Sequence, residues 1–294
     1  MDLMEWFPGA GSPWMLLLIG VISFVLAFVG SAVGLILGHL RLPLLIQYLG
    51  SAPSGAACNL LVSGVGAMSG TVRHLIGGRV SLSCLVLMGL PSVVGAAFAA
   101  FLFTRHVSHV YSHFVIGVML VVSGVNLIWK SNTDAPTGPP AAPSITLEIL
   151  IGLALGALAA VTGLMLGSLR LPMMIKWLRI DPRVAVGSNM AIGCMTALVA
   201  ATTSLFSARD LDWGPIQQAL LVLAPPTILG GYLGSWITGK LRKESVQMLA
   251  GWIIVVTGVL MTYESTREAN RKPSAEVFDL MEEDDPMSLD SDDD

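Results

Sequence analysis

Eight apolar stretches set the limits on what this chain can fold into, because each is long enough, or nearly so, to cross a lipid bilayer. They run over residues 14–37, 53–76, 80–103, 110–129, 145–166, 182–206, 215–237 and 246–263. A hydrocarbon core about 30 Å thick needs roughly 20 apolar helical residues at about 1.5 Å of rise each. The runs are continuous, rich in Leu, Val, Ala and Gly, and lack period-two alternation, which favours helices over a transmembrane barrel. With 54% hydrophobic and 12% charged residues and a mean hydropathy of +0.74, the chain lies outside the balance of soluble domains. The predicted fold class is therefore all-α, a polytopic membrane protein of about eight transmembrane helices in contact with the lipid bilayer. Trp14, Trp129, Trp213, Trp236 and Tyr263 fall near the ends of the stretches, where amphipathic rings favour the membrane interface. The start, MDLMEW, has two acids, no basic residue and no small-residue cleavage pattern after the first apolar run, so that run is expected to remain as a helix.

Charge is unevenly distributed. Residues 264–294 hold 12 acids and 3 bases, whereas residues 1–263 hold 8 acids and 13 bases. The acidic tail is polar, like-charged and nearly free of aromatics, and is expected to be disordered; a protein partner for it and a homo-oligomer both stay open. Nothing in the pattern indicates a nucleic-acid partner. Cys58, Cys84 and Cys194 are isolated in apolar segments and read as small core residues, not as a metal or redox site. No cofactor is implied. Apart from Glu148 at a helix entrance, no Asp or Glu lies inside a predicted span, which disfavours a cation carrier. The absence of HExxH, a phosphate loop and a nucleophile elbow argues against an enzyme.

The chain repeats itself. Residues 34–56 align with 163–185 at 12 identities in 23 positions, including Gly34/Gly163, Gly38/Gly167, Arg41/Arg170, Pro43/Pro172 and Pro53/Pro182. GVMLVVSGVNL from Gly117 resembles GWIIVVTGVLM from Gly251, and PSVVG at Pro91 resembles PTILG at Pro226. The expected organisation is a first repeat over 1–130, a Pro-rich linker over 131–144, a second repeat over 145–263 and the acidic tail over 264–294. Each repeat carries four long helices and one short piece, predicted at 42–49 and 171–178. Eight residues make about 12 Å of helix, less than half a bilayer, so these pieces cannot span. Short Gly/Pro-interrupted segments at matching positions of two halves point to a transporter binding site.

The repeat also supplies the candidate ligands. Pro43 and Pro172 suit the first turn of a helix, as Pro53 and Pro182 suit the start of the next, with Asp181 as a cap; helix starts attract anions. An arginine at membrane depth costs about 3 kcal/mol and faces water, a partner or a ligand. Arg41 and Arg170 therefore either sit at the interface as topology signals, their stems snorkelling, or converge to hold an anion by charge-assisted hydrogen bonds. Asn59 and Asn189, together with Ser54, Ser63 and Ser188, are candidates for orienting a polar ligand or for gluing helices together. Gly38 and Gly167 lie in the turns beside the arginines. His39 and His74 are candidates for proton coupling. Gly64, Gly66, Gly70, Gly95, Gly230 and Gly234 are expected to let helices pack closely.

With these motifs in hand, the chain resembles the sulfite exporter TauE/SafE family, also called the 4-toluene sulfonate uptake permeases. The likeness lies in VTGLMLGSLRLPMMIKWLRIDPRVAVGSNMAIG, in the LDW loop and in the Pro-x-x-x-Gly helix of PTILG. In the first half it lies in HLRLPLLIQYLG, SGAACNLLVSGVGAMSGTVRHLIGGRVS and LPSVVGAAFAAFL. The resemblance implies a prokaryotic-type permease of the cell membrane for a small sulfur-containing anion such as sulfite, a sulfonate or thiosulfate, and the broken segments of the two halves predict alternating access around a central site. The family's denser turn, Gly-x-Gly-Gly-Gly, is replaced here by GLILG and GLMLG, and arginine stands where an apolar residue is usual. An anion channel, or a scaffold or sensor acting through the tail, are the alternatives.

Overall fold

The computed structural model describes residues 13–33, 37–106, 109–131, 145–176, 178–207 and 213–237, with individual helical positions between 248 and 266. In chain order the helices are α1 (Pro13–Val33), α2 (Leu42–Leu49), α3 (Ala52–Ile76), α4 (Leu82–Cys84), a π-helical turn (Leu85–Gly89), α5 (Leu90–His106) and α6 (His109–Ser131). After the linker come α7 (Ile145–Thr162), α8 (Gly167–Lys176), α9 (Pro182–Ser207) and α10 (Trp213–Trp236). No strand occurs among the described residues.

Among the described residues, six helices are long and apolar enough to cross a membrane: Pro13–Ala32, Ala52–Ile76, Leu82–Leu102, Ile145–Thr162, Arg183–Ser207 and Trp213–Trp236. They correspond to six of the eight predicted stretches. In α6 the apolar part is the shorter Gly117–Asn126, and half of the predicted stretch at 246–263 lies outside the described residues. Most of the linker and, apart from Thr266, the acidic tail lie outside them as well.

The breaks between helices have local causes. Gly50, in the left-handed region at φ +70°, ends α2. Ser51 Oγ then accepts from Ser54 N, with proline in the first turn of α3, and Asp181 Oδ1 accepts from Arg183 N at 2.9 Å and Val184 N at 3.3 Å to cap α9. The span predicted to run to Leu166 stops at Thr162, because Gly163 takes φ +68° and Leu164 N donates back to Ala159 O, a Schellman-type stop.

The two short segments differ more than their sequences do. The first, α2, has the predicted bounds with Pro43 in its first turn. The second, predicted over 171–178, runs instead over Gly167–Lys176, which places Pro172 inside the helix rather than at its start. Proline has no N–H for the Ser168 carbonyl four residues back. The Asn126 side chain on α6 supplies the donor, with Nδ2 3.0 Å from Ser168 O, so the helix continues through the proline. At Pro91 the solution is another: Leu90 N donates to Leu85 O in a π turn that absorbs the missing donor.

The packing exchanges helices between the two parts of the sequence. Helix α3 packs on α9 at the centre; α10 lies on α1 and α3, while α5 lies on α7 and α9. Close approach relies on glycine. Gly234 of α10 abuts the Phe28 backbone of α1, Gly156 of α7 abuts the Ser92 backbone of α5, and a Cβ at either would collide. Gly95 meets the Leu153 backbone in the same manner, and Gly66 makes room for the Thr227 methyl. The outer faces carry exposed Leu17, Val21, Phe98 and Leu229, the surface a bilayer would cover.

Candidate functional site

Helices α2 and α8 lean on α3 and α9 respectively, which carries the arginine at the start of each short segment into the interior. Arg41 is 2% exposed and Arg170 1%. The interface reading of these residues needs side chains that reach headgroups, whereas both guanidinium groups end among helices. Among the described residues neither faces an Asp or Glu.

Arg41 is held by a shell of neutral groups. Its Nε donates to Asn59 Oδ1 at 3.0 Å, Nη2 to Asn59 O at 3.1 Å and to Ser63 Oγ at 2.5 Å, and Nη1 reaches Ser23 Oγ at 3.5 Å. Asn59 also works across the sequence repeat, since its Nδ2 donates to Gly163 O at 2.7 Å. Beside Arg41 lies a cavity of about 20 Å³ lined by Ser31, Gly38, Ser63, Met190 and Thr227 among others. That volume holds about one water molecule, so an oxyanion needs a more open arrangement.

Arg170 has Nη2 3.1 Å from Ser92 Oγ. Thr196 Oγ1 reaches the same Ser92 Oγ at 2.9 Å and the Ile192 carbonyl at 2.7 Å. Asn189 Nδ2 donates to Gly167 O at 3.4 Å. Gly38 and Gly167 give these groups room: a Cβ at Gly38 would fall 2.7 Å from Ser63 Oγ, and one at Gly167 2.7 Å from Asn189 Nδ2.

The structure thus groups Arg41, Gly38, Asn59 and Ser63, and separately Gly167 with Asn189. It places Ser54 and Ser188 elsewhere. Ser54 Oγ accepts from Ser51 Oγ at 2.7 Å at the start of α3, and Ser188 Oγ accepts from Ser81 N at 2.9 Å. His39 is buried in the turn before Arg41, and His74 is buried in the last turn of α3. The 15 residues from Asn59 to His74 make about 22 Å of helix, so the two histidines do not share a site. The three cysteines are buried and free, and no cluster of metal-ligating side chains occurs among the described residues.

Residues 18–261 match the family described as sulfite exporter TauE/SafE. The chain belongs to this family. As a TauE/SafE family member with six apolar helices of spanning length, it is a multi-pass protein of the cell membrane. It is 26% identical over 119 residues to a Bacillus subtilis (strain 168) protein named "Probable membrane transporter protein YunE". That match covers 40% of this chain and 42% of the relative, so it spans less than half of the relative's length. No solved structure matches this TauE/SafE chain.

Sequence reasoning missed Ser23, Ser92, Thr196 and Thr227. A signal existed for two of them: the similar segments PSVVG and PTILG place Ser92 and Thr227 directly after a proline, and the fold brings Ser92 to Arg170 and Thr227 to the cavity beside Arg41.

Proposed function

We propose that this protein is a carrier for a small, sulfur-containing anion of the sulfite, sulfonate or thiosulfate class, working by alternating access between two homologous halves. The observation that supports this reading is the pair of buried arginines with no acidic partner among the described residues. Each positive charge inside a membrane bundle costs several kcal/mol unless something answers it, and an anion passing through the protein does so. The family's description names sulfite and the relative's name a membrane transporter; both agree with this direction.

The full arrangement is two four-helix repeats, 1–130 and 145–263, joined by the linker at 131–144, with eight crossings in all. The reciprocal packing of α1 on α10 and of α7 on α5 is what a duplicated unit with exchanged third long helices would give. Arg170, with Gly167 and Asn189, carries the site in this reading, and Arg41, with Gly38 and Asn59, forms the matching group of the first half. Pro43 and Pro172 fix the short segments, while Ser54 and Ser188 act at helix starts. Of the two histidines proposed for proton coupling, His39 is the one adjacent in sequence to the Arg41 turn, and His74 lies at the far end of α3.

The test is a thermal-unfolding screen of the purified protein against sulfite, thiosulfate, sulfoacetate, sulfate, acetate and chloride. An anion at 100 times its dissociation constant adds about 2.7 kcal/mol to stability. A rise for the sulfur oxyanions and none for acetate or chloride is the expected result, and no rise for any sulfur oxyanion contradicts the reading.

A further inference from the structure

Arg41 and Arg170 occupy aligned positions, yet they are not equally satisfied. Every nitrogen of the Arg41 guanidinium has a hydrogen-bond acceptor. In Arg170, Nη2 meets Ser92, whereas Nε and Nη1 have no partner among the described residues, although the side chain is buried. Nε carries one N–H and Nη1 two, so at least three of the five donors of this guanidinium have no acceptor among the described residues.

The difference is written in the sequence. In the register that pairs Arg41 with Arg170, Ser23 pairs with Gly152; in the register that pairs Asn59 with Asn189, Ser63 pairs with Gly193. Two hydroxyls that hold Arg41 therefore have glycines at the aligned positions of the second half. Buried donors are almost always satisfied, and a desolvated cation with idle donors is among the most unfavourable groups to bury.

Resting on the transport reading above, we propose that the two arginines have separate tasks: Arg170 takes the transported oxyanion, flanked by the hydroxyls of Ser92 and Thr196, and Arg41 is a structural pin that fastens α2 to α3. The oxygens of a small sulfur oxyanion accept from Nε and Nη1 as charge-assisted bonds. Ser92 belongs to the first part of the chain, and Arg170 and Thr196 to the second. A shift of α5 against α8 and α9 therefore opens and dismantles this position, as a carrier site requires.

Wild type, Arg170→Met, Arg170→Lys and Arg41→Met, all as the full chain, are compared by thermal unfolding, first without added anion and then with sulfite, thiosulfate, sulfoacetate or sulfate at constant ionic strength. Methionine keeps an unbranched stem and removes the charge. Without anion, Arg170→Met is expected to unfold at or above the wild-type temperature, because an unanswered charge is gone. Arg41→Met unfolds lower, because Asn59 and Ser63 lose their donor.

The anion that raises the wild-type midpoint also raises that of Arg41→Met and leaves Arg170→Met unmoved. Arg170→Lys, which keeps charge but not the fork, needs at least about ten-fold more anion. Where Arg41→Met yields no folded protein, Arg41→Lys replaces it. An anion-dependent rise that survives in Arg170→Met, or a midpoint for that variant well below wild type without anion, overturns the assignment and leaves the transport reading standing. A wild type that responds to none of the four anions overturns the transport reading and this inference together.

Discussion

Asn59 joins three parts of the molecule with one amide: Oδ1 accepts from Arg41 beside α2, Nδ2 donates to Gly163 O at the end of α7, and its backbone belongs to α3. Alanine at this position leaves a buried guanidinium nitrogen and a buried carbonyl unanswered. Asn59→Ala is expected to lower the unfolding free energy by about 3 kcal/mol, read as a fall in midpoint in detergent. Ser54→Ala removes a hydroxyl contact at a part-buried helix start and is expected to cost about 1 kcal/mol or less. Equal losses for the two variants would contradict the view that Asn59 organises the Arg41 shell.

Among the helices, two glycines with nearly the same backbone angle make a controlled comparison. Gly50 has φ +70° and open space around it, whereas Gly163 has φ +68° and Ala56 pressed against the position of a Cβ. Gly50→Ala carries only the left-handed penalty of about 1 kcal/mol. Gly163→Ala adds a collision next to the carbonyl that Asn59 holds, and its loss is expected to be at least twice as large by the same unfolding assay.

These breaks also mark what sequence could and could not reveal. Leu42–Leu49 was legible because Pro43 and Gly50 bracket it. The start of α8 was not, because Pro172 ends a helix only when its orphaned carbonyl lacks another donor, and Asn126 comes from a distant stretch of chain. Arg41, Arg170 and Asn59 were visible as polar residues in apolar runs. Thr196 was not, since hydroxyls are common in membrane helices and only the packing of α5 on α9 selects it; for Ser92 the sequence held no more than its place after the proline of PSVVG.

At the scale of the whole molecule, each part of the chain lends a helix to the other around α3 and α9, with the two buried arginines beside that central seam. The residues proposed for the site all lie within 38–196, so deleting residues 268–294 is expected to leave transport unchanged within about two-fold; loss of transport would move the functional centre to the tail. The most direct test of the central claim is flux in proteoliposomes: uptake of labelled thiosulfate or sulfite, with and without the same unlabelled anion inside. A carrier with alternating access is expected to show saturable uptake that the internal anion accelerates. Uptake that is conductive and indifferent to internal anion, or no uptake above protein-free vesicles, would contradict it.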